Sequence, residues 1–246
     1  MSSHIDVVPP YIPYSISDEN ASSDTIIRGR GSVDAKGSIA AQITALQSLL
    51  DAGEVAEQDV MLLFVVGEEG PGDGMRFFSN ETHNLHPPPE FESVIFGEPT
   101  ENKLACGHKG GLFGYIEARG TAGHSGYPWL GKSANELLIR ALAQMLSTDL
   151  GTSDKFGNTT VNVGRFDGGV APNVIPEYAR ADIAIRIAIG PEDKGASIVA
   201  DRVQSILDDI DPDAFKFAYS HCYGVVETNC DVEGKLHESI LFVPSD

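Results

Sequence analysis

Seven consecutive apolar residues, Val60 to Val66, run straight into Gly67-Glu68-Glu69. An unbroken apolar run of that length, closed by glycine, predicts a strand buried on both faces, as in a parallel sheet covered by helices. Two carboxylates at the mouth of such a strand are costly unless a cation or hydrogen bonds meet them. The bland alternative is a solvated turn.

The rest of the first hundred residues fits an α/β layer. Ile5 to Val8 reads as a strand stopped by Pro9-Pro10, and residues 15–24 as a polar surface loop. Residues 36–51 place Ile39, Ile43, Leu46 and Leu50 on one helical face, with Gly53 as the stop. Met75 to Asn80 reads as a short helix and Ser93 to Phe96 as another buried strand. Alternating strands and helices predict a mainly parallel sheet flanked by helices.

After Cys106-Gly107 the order changes. Gly111–Ala118 is a predicted strand, Ser133–Ser147 a helix, and Thr159–Phe166 and Glu177–Ile187 two strands. Lys194–Ile210 is a helix and Phe215–Tyr219 a last strand. β-α-β-β-α-β is a ferredoxin-like arrangement whose ends lie close together, as an inserted domain requires. The expected organisation is therefore a first part over 1–106, an inserted α+β lid or dimerisation domain over 107–220, and a return to the first domain over 221–246.

Charge excludes some functions. Seventeen Lys and Arg against thirty-six Asp and Glu give −19 over 246 residues, so no phosphate-binding face for nucleic acid is expected, nor an anionic membrane surface. No apolar run approaches the roughly 18 residues of a membrane span. Three cysteines make no disulfide framework, which sets a reducing, cytoplasmic location as the default expectation. Sequons at Asn20, Asn80 and Asn158 permit secretion without indicating it.

Four groups fall at, or just beyond, the carboxyl ends of predicted strands, the edge where open α/β sheets bind ligands. They are His4 with Asp6, Asp34, Glu68-Glu69, and Glu98. His4-Ile5-Asp6 has the spacing at which a carboxylate orients a ligating imidazole. Asp34 sits in a glycine-bounded turn, where a helix N-cap is the plain reading. Neighbouring carboxylates point in different directions, so one of Glu68 and Glu69 is able to ligate a metal while the other accepts a proton.

Taken in order, HIDVVPP, GRGSVDAKG, VVGEEG and FGEPT resemble the M20 metallopeptidases, and in particular their acetylornithine deacetylase and succinyl-diaminopimelate desuccinylase branch. The resemblance implies up to two Zn2+ ions, with Co2+ as a substitute. His4, Asp34 and Glu98 would hold one ion, and Asp34 would bridge to a second held by Glu69. Glu68 would be the general base, Asp6 would position the site, and the peptide bond after Asp34 would be cis. The segment from Gly120 to Pro128 resembles the family's lid, implying that His124 stabilises an oxyanion, often across a homodimer. Asn173 and Arg186 would bind the substrate's carboxylate. A bare surface histidine and a strand-edge charge are the plain readings of His124 and Arg186.

One expected ligand has no counterpart. The family's last metal-binding His belongs to a returning segment, yet residues 238–246 contain none, and His221 and His237 stand in other contexts. With only three residues before His4, both ends read as clipped. The function implied is a zinc hydrolase acting on N-acyl amino acids or short peptides. The alternatives are a catalytically silent metal-binding or dimerisation remnant, and an unrelated α/β binding protein.

Overall fold

A computed structural model describes residues 1–101 and 103–228. The chain divides into two compact units, Met1–Ala105 and a second that begins at Cys106.

In the first unit, β1 (Ser2–His4) pairs in parallel with β2 (Leu63–Val65), setting Ser2 against Leu63 and His4 against Val65. On its other side β1 meets Phe96 through a parallel bridge at Ser2. The backbone of β1 is thus held from both sides, and Ser2, Ser3 and His4 are all buried. The strand expected over Ile5–Val8 is displaced to 2–4. Ile5, Val7 and Val8 are exposed, because the chain leaves the sheet at His4. Of the expected strand 93–96, the bridge at Phe96 is what forms.

Helix α1 (Ser38–Ala52) packs on β1 and ends at Gly53, whose φ of 70° is the left-handed conformation common after helices. Its buried residues are Ser38 and Gln42, four apart, while Ile43 is exposed. Ile39, Leu46 and Leu50 of the expected stripe are half-buried, so the inward face includes them and is centred on Ser38 and Gln42 rather than on Ile43. Helix α2 (Asp73–Glu81) follows β2.

The second unit is a four-stranded antiparallel sheet with two helices on one face. Its elements are β3 (Gly110–Arg119), α3 (Ala134–Ser147), β4 (Thr160–Gly168), β5 (Tyr178–Ile187), α4 (Gly195–Ile210) and β6 (Phe215–Tyr223). The sheet order is β4-β5-β3-β6, the ferredoxin-like arrangement. Alternation along β5 sends Ala181, Ile183, Ile185 and Ile187 to the helix side. There they join Leu112 and Ile116 of β3, Leu138 and Met145 of α3, and Val199, Val203 and Leu207 of α4 in one core. Each fully buried side chain of this size contributes about 1.5–3 kcal/mol. Ser133 caps α3 by accepting the Glu136 backbone N–H at 3.2 Å.

The last strand continues past Tyr219, through an irregularity in register, to Tyr223 opposite Gly111. Val226-Glu227 then pairs with Gly107-His108. Residues 221–228 thus belong to the second unit rather than to a return segment, because backbone pairing extends beyond the apolar alternation that marked the strand. The rest of the expected return, 229–246, lies outside the described residues. No helix among those described is long and apolar enough to cross a membrane.

Candidate metal centre

His4 is the last residue of β1 and is completely buried. The carboxyl end of the parallel strand β2 leads through Gly67 into Glu68-Glu69, and the bridged segment at Phe96 leads into Glu98. Asp34 comes from the turn 32–37 that opens α1, and the Asp34–Ala35 peptide bond is cis, as the resemblance implied. Three separate stretches of chain therefore converge on the imidazole that β1 carries.

Around His4 Nε2, Asp34 Oδ1 lies at 2.8 Å, Glu68 Oε2 at 3.7 Å and Glu98 Oε1 at 3.9 Å. On the other side of the ring, Nδ1 is 3.1 Å from the Asp6 carbonyl oxygen and 3.5 Å from its carboxylate. The backbone carbonyl is thus the nearer partner, where HxD spacing suggested the side chain. The Asp6 carboxylate also accepts the backbone N–H groups of Glu68, at 3.4 Å, and Glu69, at 3.3 Å. Asp6 ties the strand end that carries His4 to the turn that carries both glutamates.

The electrostatics follow from this crowding. Burial opposes a charged His4, but the Asp34 hydrogen bond and the charges of Glu98 and Glu68 outweigh it and raise its pKa. Burial, then the neighbouring Glu68, pushes Glu98 up to about 7. Glu68 is raised by burial and, against the pull of His4, by Glu69 and Asp34. Asp6 behaves oppositely: despite burial, backbone hydrogen bonds including those from Glu69 and Glu68 hold its carboxyl below the usual range.

This donor set fits a divalent cation. Both ring nitrogens of His4 face acceptor oxygens, so the ring satisfies both with hydrogens only when doubly protonated. A cation at Nε2 relieves the same conflict while Nδ1–H stays on Asp6. Among the described residues no Lys or Arg pairs with Asp34, Glu68, Glu69 or Glu98. Two triads, His4-Glu68-Glu98 and His4-Asp34-Glu69, each bring ligand atoms within 4.8 Å of one another. Tetrahedral zinc with nitrogen and oxygen ligands needs donors about 3.4 Å apart, close to the separations around Nε2. One triad departs from the grouping the resemblance implied, since Glu68 stands with His4 and Glu98, while the other keeps Asp34 with Glu69.

His124, Asn173 and Arg186 belong to the second unit. His124 and Asn173 are brought together: His124 pairs with Val174, and Ser125 N donates to the Asn173 carbonyl at 3.0 Å. The Gly126 N–H donates to His124 Nδ1 at 3.0 Å, so the neutral tautomer this contact favours carries its proton on Nε2. A Cβ at position 126 would stand 3.1 Å from that nitrogen. Arg186 lies on the sheet face opposite the helices, 5.4 Å from the Phe113 ring, and has no acidic partner among the described residues. The side chain of His221, and His237, lie outside the description.

Apolar periodicity passed over Ser3 and Gln42. Ser3 Oγ donates to the Gly97 carbonyl at 2.7 Å, and Gln42 Nε2 to the Ser2 carbonyl at 2.9 Å. The readable signal was a polar pair, Ser38 and Gln42, at i and i+4.

Residues 106–214 match the family model of the M20 peptidase dimerisation domain. Over 244 residues the chain is 54% identical to a peptidase M20 domain-containing protein of Sordaria macrospora, covering 95% of this chain and 54% of that protein. It is 47% identical over 245 residues to a probable carboxypeptidase of Aspergillus fumigatus, covering 95% and 55%. The chain spans about half the length of these curated relatives. In fold it is similar to the di-peptidase Dug1p of Saccharomyces cerevisiae, with a TM-score of 0.64 and 14% identity over 96% of this chain and 63% of that one.

Proposed function

We propose that the chain is part of an M20 peptidase, a metal-dependent hydrolase cleaving an amide bond in a short peptide or an N-acyl amino acid. The observation that carries this reading is His4 Nε2, which faces Asp34, Glu68 and Glu98 within 3.9 Å with no Lys or Arg among the described residues to balance them. Similarity to a probable carboxypeptidase favours a peptide substrate over an acetylornithine-like one.

His4, Asp34, Glu69 and Glu98 would hold the metal, and zinc suits a mixed imidazole and carboxylate set. Bound there, the ion supplies Lewis acidity toward a carbonyl oxygen and acidifies water. Glu68, half-exposed and with its pKa raised, accepts the proton of the attacking water and returns it to the leaving amine. Asp6 fixes the His4 ring and the Glu68-Glu69 backbone. Arg186 would offer a planar fork to the substrate's carboxylate, Asn173 a further polar contact, and His124 its Nε2–H to developing negative charge. Residues 106–214 would assemble two copies into a homodimer.

Zinc content and hydrolysis of N-acyl amino acids and dipeptides test the reading together. Bound zinc with turnover supports the hydrolase. A single ion with no turnover favours the silent metal-binding remnant. No bound metal removes both.

A further inference from the structure

Beneath His4 lies a polar layer that the proposed chemistry does not use. Ser2, Ser3, Ser38 and Gln42 are all buried there. The Ser2 carbonyl accepts two hydrogen bonds, from Gly97 N at 2.7 Å and from Gln42 Nε2 at 2.9 Å. The Gly97 carbonyl accepts from Ser3 Oγ at 2.7 Å. Both backbone groups of Gly97 are thus held by the strand that ends in His4, and the next residue along is Glu98. A Cβ on Gly97 would stand 2.5 Å from Gln42 Nε2, so the glutamine amide lies flush against that backbone.

We propose that Ser3 and Gln42 are positioning residues that clamp the Glu98 segment to the His4 strand and so set the separation of these two ligands. The inference rests on the metal reading given above. Its second support is the cost of the arrangement. Gln42 Oε1 and Ser2 Oγ are buried without a hydrogen-bond partner among the described residues. A half-satisfied buried amide destabilises a fold relative to an apolar side chain of the same shape. Stability alone would therefore place Met or Leu at position 42, which packs against β1 from the buried side of α1. The polar contact serves the register between two ligand-bearing segments. Outer residues that orient metal ligands commonly change affinity by about 10–100-fold when removed.

The test uses the full chain, with Zn2+ affinity measured by chelator competition and Co2+ substitution followed in the visible spectrum. Gln42→Met and Ser3→Ala are each expected to weaken Zn2+ binding about tenfold or more and to alter the Co2+ absorption bands. The metal-free melting temperature of Gln42→Met should stay level or rise, the opposite of what a purely structural glutamine would give. Ser3→Thr, which keeps the hydroxyl, should restore affinity. Ser48→Ala serves as a control, since among the described residues Ser48 Oγ bonds only to the Thr44 carbonyl of its own helix. Wild-type affinity and spectrum in both clamp variants would overturn the clamp alone, as would an equal loss in Ser48→Ala. A wild-type chain that takes up no Zn2+ would overturn the metal reading, and the clamp with it.

Discussion

Asp34 Oδ1 stands 2.8 Å from His4 Nε2 although the two residues come from different elements, one from the turn before α1 and the other from the end of β1. That contact occupies the single ring nitrogen through which His4 would ligate a metal, because Nδ1 is turned toward Asp6.

The adjacent glutamates should separate by function. Glu68→Gln should retain metal and lose turnover by about 10²-fold or more, the scale of a general base. Glu69→Gln should lose metal instead. Metal content and kcat measured on both variants decide it. The reverse pattern would follow the observed grouping of Glu68 with Glu98 and make Glu68 the ligand.

Stability should depend on pH in opposite ways with and without metal. Folded Glu98 holds its proton up to about 7, above its unfolded range near 4.3, so the folded state binds protons more tightly. That stabilisation is full below the unfolded value and is lost as pH rises toward 7. His4, also raised, adds stability below its unfolded range that is lost at higher pH. With EDTA present, thermal melting should therefore occur at higher temperature at pH 5 than at pH 8. Excess Zn2+ should reverse the order, since protons then compete with the metal. An EDTA-treated chain that melts higher at pH 8 would contradict the assigned electrostatics.

Much of the second unit was legible because its strands alternate cleanly and its helices are amphipathic. Along β5, for instance, Ala181, Ile183 and Ile185 mark one face unambiguously, and the predicted span 177–187 differs from the observed one by a single residue. The first unit was harder to place. Ser2-Ser3 carries no apolar signal, yet β1 is buried because its backbone is paired on both sides and Ser3 Oγ finds the Gly97 carbonyl. Burial there comes from hydrogen bonding that hydropathy does not register. Candidate ligands were visible as types at strand ends. Their grouping depends on separations of a few tenths of an ångström between distant stretches of chain, and no spacing in the sequence encodes that.

Assembly is a separate expectation. β4 is an edge strand of the four-stranded sheet, and exposed edges invite pairing. Light scattering on the full chain at micromolar concentration should give the mass of a dimer. A monomer would confine His124 to acting within its own chain.

The most direct measurement is the metal content of the purified chain by elemental analysis, beside Asp34→Ala. The account predicts at least one zinc per wild-type chain and none in the variant, because Asp34 is the carboxylate nearest His4 Nε2. A wild-type chain without metal, or an Asp34→Ala variant with the full wild-type complement, would contradict it.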